Sequence, residues 1–90
     1  LTEKSGDMED KFIRIFKDGF VSMDMAQNIL VIKTVSGMAM AVAAALDAMH
    51  REDVVGTIAG DDTIFVLLRT ETQAKEFAGS FARLMETGGF

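Results

Sequence analysis

Asp61 and Asp62 stand side by side in the stretch GTIAGDDTIF (residues 56–65), between two apolar runs. Adjacent carboxylates repel, and burying an unpaired one is expensive. Four readings fit such a pair. It can be a solvated hairpin turn, in which Asp bonds nearby backbone N–H groups and Gly60 supplies a positive φ. It can hold Mg²⁺ or Ca²⁺, but the spaced oxygen ligands of a calcium loop are missing and few other side chains could complete an octahedron. It can act as an acid–base pair in hydrolysis, but neighbours in sequence usually point apart and no nucleophile motif stands near. It can receive a cation, above all a guanidinium, which is flat, always charged and matched to carboxylates through two-pronged hydrogen bonds. Asp47 adds to the last reading. It is the only acid in the run MAMAVAAALDAMH (38–50), near the end of a helix whose dipole disfavours it, so it either faces solvent or seeks a cationic partner.

The composition narrows the classes further. Ninety residues imply one domain, and a chain of this size buries only roughly 60–65% of the surface its unfolded form exposes. There is no cysteine, hence no disulfide framework and no cysteine-based zinc site. His50 is the only histidine, so a place at a helix C-terminus, where cations suit the dipole, explains it better than a metal site. No stretch is long and apolar enough to span a membrane, and the polar start does not resemble a signal peptide, which fits a cytoplasmic setting. The net charge of −5 argues against this chain itself gripping nucleic acid. The first residue is not Met, which points to a fragment of a longer protein. With 49% hydrophobic residues, seven Met and seven Phe, the chain is apolar for its size, and other copies of it are expected to cover part of that surface.

The elements that must position the acids follow from periodicity. Residues 1–7 are polar and read as linker. Met8, Phe12, Ile15 and Phe16 recur at helical spacing, predicting a short amphipathic helix over 8–17 that Asp18-Gly19 ends. Alternation then places Val21, Met23 and Met25 on one face of a strand, with Phe20, Ser22, Asp24 and Ala26 on the other. Gln27-Asn28 makes a tight turn into Ile29-Leu30-Val31-Ile32, a run fit for a strand buried on both faces. Ser36-Gly37 opens a helix over 38–50 that is apolar nearly all round, so one side packs on the sheet and the other is assigned to a neighbouring subunit. Residues 54–59 and 63–68 read as two strands joined at Gly60-Asp61-Asp62. Thr70 caps a last helix, with Gln73 placed as in a capping box, an apolar stripe from Ala74 to Met85, and Gly88-Gly89 as the stop. The order hairpin, helix, hairpin, helix predicts an α+β fold of two layers: a mostly antiparallel four-stranded sheet with two main helices on one face.

The string GTIAGDDTI at 56–64 resembles the ligand-binding signature of the C-terminal domain of bacterial arginine repressors. The flanking order is similar too: a Val- and Ile-rich strand, a Gly before an Ala-rich helix, an Asp late in that helix, then the signature. The resemblance covers about residues 20–86. It implies a transcriptional regulator of arginine metabolism, not an enzyme, and therefore no catalytic residues and no metal. It divides the chain into a linker and short helix at 1–19 and an arginine-binding oligomerisation domain at 20–90, with the N-terminal DNA-binding domain that reads the operator absent. Its ligand is L-arginine, acting as corepressor, and its partners are copies of itself in trimers and a hexameric dimer of trimers. By the same resemblance, Asp61 and Asp62 hold guanidinium groups, one from the subunit's own ligand and one reaching across to a ligand of the opposite trimer. Asp47, Thr57, Ala59, Gly60 and Thr63 line the part that holds the α-amino and α-carboxylate ends. The chain departs from the family where Pro-Gly-x-Ala-Gln is common: it has Ser36-Gly37-Met38-Ala39-Met40, and Met40 cannot make the hydrogen bond of that Gln. This keeps a second expectation open, an oligomerisation module of a paralogue with weak or no arginine sensing.

Overall fold

The computed structural model describes residues 2–49 and 51–87, with side chains from 10 to 49 and from 51 to 86. Seven elements follow in order: α1 (Thr2–Gly19), β1 (Phe20–Ala26), β2 (Ile29–Thr34), α2 (Ala39–Ala48), β3 (Val54–Ala59), β4 (Thr63–Leu68) and α3 (Glu71–Thr87). The strands form one sheet in the order β1-β2-β4-β3, and every neighbouring pair is antiparallel. The α+β architecture expected from the sequence is therefore present, with β1 and β3 at the edges.

The core lies between one sheet face and the helices. Leu30 and Ile32 of β2 and Ile64, Val66 and Leu68 of β4 alternate inward, as a period of two requires. They meet Val42, Ala43 and Leu46 of α2, Ala74, Phe77 and Phe81 of α3, and Phe16 of α1 in a single buried cluster. Small residues let α2 lie close. A Cβ added at Gly19, where α1 ends, would stand 2.9 Å from Val42 Cγ2, so that junction has no room for a larger residue.

Three local expectations are corrected. Helix α1 begins at Thr2, not near Met8, so residues 2–7 of the polar run are helical. Polarity by itself does not oppose a helix, and this run has no Pro to break one. In β1 the faces are not divided by simple alternation. Phe20 pairs with Thr34 and Ser22 with Lys33, so Val21 is one extra residue in the strand. That bulge turns Val21 outward and puts Phe20 on the core side with Met23 and Met25. Strand β2 is not buried on both faces within the chain. Its outer residues Ile29 and Val31 are half-buried, on an open face continued by Ile58, Phe65 and Leu67.

Other boundaries match the spacing. The Thr70 hydroxyl accepts the Gln73 N–H at 3.0 Å and caps α3. The reciprocal half of the capping box is not made, because Gln73 Oε1 is buried without a hydrogen bond. Arg51 serves less the dipole of α2 than a local pair: its guanidinium meets Asp53 at 3.1 Å and lies 5.0 Å from the centre of the Phe77 ring. His50 and Gly88-Gly89 lie outside the described residues.

The β1–β2 turn stores strain. Gln27 has φ 56°, a left-handed conformation costly for a residue with a Cβ. Gln27→Gly is expected to stabilise the fold by about 0.5 kcal/mol, since relief of roughly 1–2 kcal/mol outweighs roughly 0.5–1 kcal/mol of added freedom in the unfolded chain. A urea midpoint below that of the parent chain would contradict this.

Candidate functional site

The acids singled out in the sequence sit where two connections meet. Strands β3 and β4 are joined by Gly60-Asp61-Asp62, and the Gly60 N–H closes the turn on the Thr63 carbonyl at 2.8 Å. Beside it runs the β2–α2 corner, residues 35–38. Main-chain bonds clamp the two segments together. The Asp61 carbonyl accepts from the N–H groups of Gly37 at 3.1 Å and Ala39 at 3.3 Å, and the Asp62 carbonyl accepts from Thr34 N–H at 2.8 Å. The Ala39 N–H is one of the unpaired amides at the start of α2, and Met38 brings no side-chain cap. The acidic turn thus caps the helix with its backbone and leaves its carboxylates free for other partners. Gly37, at φ 85°, makes the sharp corner this contact needs.

Both carboxylates are exposed, and each is held through one oxygen by a hydroxyl. Ser36 Oγ donates to Asp61 Oδ2 at 2.9 Å. Thr63 Oγ1 donates to Asp62 Oδ1 at 2.9 Å while accepting from Lys33 Nζ at 3.0 Å. A carboxylate offers about four acceptor positions, so one hydroxyl orients each group and leaves capacity for a cationic donor. The turn is well made, and its exposed carboxylates are not neutralised by any direct ion pair among the described residues.

Asp47 has a different partner. It lies in the last turn of α2 and accepts a hydrogen bond from Thr57 Oγ1 of β3 at 2.9 Å. Asp47 and the first residue of α2, Ala39, are separated by about 12 Å along the helix axis. The acids thus lie toward opposite ends of α2, with Thr57 and Ala59 of the edge strand between them. Thr57 is half-buried, and Ala59 packs against the core, which leaves its backbone as the part able to meet a ligand. The structure brings Gly60, Asp61, Asp62 and Thr63 together in one turn and joins Asp47 to Thr57. Met40, in the first turn of α2, is 72% exposed. Among the described residues, no three of His, Cys, Asp and Glu converge in a metal-binding group, and no helix is long and apolar enough to cross a membrane.

Two residues of this site were not marked as such by the sequence. Ser36 reads as a helix opener, yet its hydroxyl turns to a carboxylate 25 positions away. Lys33 stands just past the apolar run Ile29-Leu30-Val31-Ile32, and the register sets it opposite Thr63. Neither link has a spacing signal, because both depend on how β2 pairs with β4.

The comparisons with known proteins place the chain in a family. The family model described as "Arginine repressor, C-terminal domain" matches residues 16–83. Among similar curated proteins, an arginine repressor of Lachnoclostridium phytofermentans is 69% identical over 70 residues, covering 78% of this chain and 46% of that protein. One of Alkaliphilus oremlandii is 46% identical over 86 residues, covering 96% and 58%. One of Clostridium tetani is 37% identical over 89 residues, covering 99% and 58%. The chain therefore spans about half the length of the curated relatives it matches. The match begins in the last turn of α1 and takes in both clamped segments and the whole sheet. The chain belongs to the arginine repressor C-terminal domain family.

Proposed function

We propose that this chain binds L-arginine as a corepressor at sites between subunits, and that the ligand joins trimers into hexamers. The observation that carries the reading is the clamped turn with two outward, hydroxyl-oriented carboxylates, Asp61 and Asp62. A guanidinium meets such groups through charge-assisted, two-pronged hydrogen bonds. Asp47 and Thr57, with the backbone of Ala59 and Gly60 and the Thr63 hydroxyl, serve the ammonium and carboxylate ends of the ligand. The assembly supplies what a single chain lacks. Ile58 is 77% and Phe65 54% exposed on the open sheet face, and Leu67 continues the patch. Apolar faces of this kind mark contact surfaces.

The mechanism follows from charge. Acids from facing subunits crowd an unliganded interface, and each arginine brings a guanidinium and an ammonium against one carboxylate. A ligand that binds only the assembled form stabilises it by mass action, and a preference for one arrangement of trimers shifts that equilibrium by its differential affinity. The whole protein is then an arginine-responsive, cytoplasmic regulator of arginine metabolism, not an enzyme, whose upstream domain contacts operator DNA. Met40 favours the second reading, an assembly module with weak or no arginine sensing, because a thioether donates no hydrogen bond to a ligand.

Calorimetric titration at a chain concentration whose assembly state is known separates the two. The expected result is saturable binding near one L-arginine per chain, with citrulline, neutral and nearly the same shape, at least about tenfold weaker. Equal affinities would remove the charge argument. No heat at several temperatures would favour the arginine-blind module.

A further inference from the structure

We infer that Ser36 is a positioning residue for Asp61, holding its carboxylate in the orientation that receives a guanidinium. The inference rests on the reading of Asp61 as a ligand contact. Ser36 stands in the β2–α2 corner, two residues before Met38, which holds the cap position of α2 without a side-chain cap. The Asp61 carbonyl accepts from the Gly37 N–H and from the Ala39 N–H at the start of α2, and the Ser36 hydroxyl donates to Asp61 Oδ2 at 2.9 Å. Asp61 is thereby gripped twice by one corner, through its main chain and through its side chain. An exposed aspartate otherwise samples several rotamers, and a ligand that needs one of them must select it. The bond leaves Oδ1 and the remaining lone pair of Oδ2 to a two-pronged donor.

The two aspartates are also held differently. Asp62 is oriented by its own neighbour Thr63, which leans on Lys33 across the sheet. Asp61 is oriented only from the segment that leads into α2, the helix that carries Asp47. Ser36 therefore ties the guanidinium end of the site to the element that bears the other end.

Titration of the full 90-residue chain and of Ser36→Ala and Ser36→Thr with L-arginine and with citrulline, at one chain concentration, tests this. Sedimentation and thermal melts without ligand accompany the titrations. Ser36→Ala is expected to bind arginine roughly three- to tenfold more weakly, the range for an exposed charge-assisted hydrogen bond, with an unchanged melting temperature and assembly state. Ser36→Thr keeps the hydroxyl and is expected to lie within about twofold of the parent. The preference for arginine over citrulline falls in Ser36→Ala, because the lost bond aims a charge. Parent-like arginine binding by Ser36→Ala would overturn the inference alone, as would an equal loss for both ligands, which would make Ser36 a shaper of the loop only. No arginine binding by the parent chain would remove the proposed function and this inference with it.

Discussion

Asp62→Asn is expected to weaken L-arginine binding by about two orders of magnitude, roughly 3 kcal/mol, with the fold intact. The size follows from what the substitution removes. An Asn keeps the shape and an acceptor oxygen, but it has no charge to meet a guanidinium and brings an NH₂ that points donors at donors. The fold is spared because the structural contacts of Asp62 survive. Its carbonyl still accepts from Thr34 N–H at 2.8 Å, and an amide oxygen can still take the Thr63 hydroxyl that now lies 2.9 Å from Oδ1. Calorimetry beside a far-UV melt checks both halves. Near-parental affinity would contradict the role given to Asp62, and a collapsed melt would show that its charge serves the fold instead.

Phe81→Ala is expected to cost about 3–5 kcal/mol of stability, the largest loss from any single truncation considered. Phe81 is 4% exposed and central to an aromatic cluster. Its ring centre lies 5.0 Å from that of Phe16 in α1, 5.6 Å from Phe20 in β1 and 6.5 Å from Phe77 one turn earlier in α3. Removal opens a cavity where a helix–helix seam meets an edge strand, and it forfeits the edge-to-face contact with Phe16 as well. Small domains have roughly 5–15 kcal/mol in all, so this variant sits near the limit of folding. Urea unfolding at fixed chain concentration measures the loss; the concentration is fixed because any assembly adds its own stabilisation. A loss below about 1 kcal/mol would mean that the cluster is not the seam described here.

Much of this architecture was legible because burial here follows simple periods. Leu30 and Ile32, then Ile64, Val66 and Leu68, alternate without interruption, and the stripe from Ala74 through Phe81 recurs at helical spacing. The turn at Gly60-Asp61-Asp62 and the Thr70 cap were legible because Asp and Thr are chosen for turns and caps, although Gly60 does not adopt the positive φ expected of it. The misreadings have physical causes of their own. One inserted residue in β1 reversed the face assigned to Phe20, and alternation cannot reveal an insertion it presumes absent. A polar helical start reads like a linker when the only guide is an apolar stripe. For β2, an apolar run predicts burial on both faces, although the chain by itself covers one. In the candidate site, the residues within one turn are adjacent in sequence, whereas the links of Ser36 and Lys33 carry no sequence signal because their partners are set by strand pairing.

The two edge strands share a feature whose effect reaches past the site. In β1 the extra residue is Val21; in β3 the pairing passes from Val54 opposite Leu68 to Gly56 opposite Leu67, leaving Val55 as the extra one. Both valines are exposed. A bulge interrupts the ladder and sharpens the local twist, so an incoming strand meets a broken row of donors and acceptors. The sheet is thus blunted at its rims while its open face stays apolar. Copies that meet edge to edge can continue without limit, whereas copies that meet face to face use up the surface that joins them. Both properties favour small closed assemblies over open-ended ones.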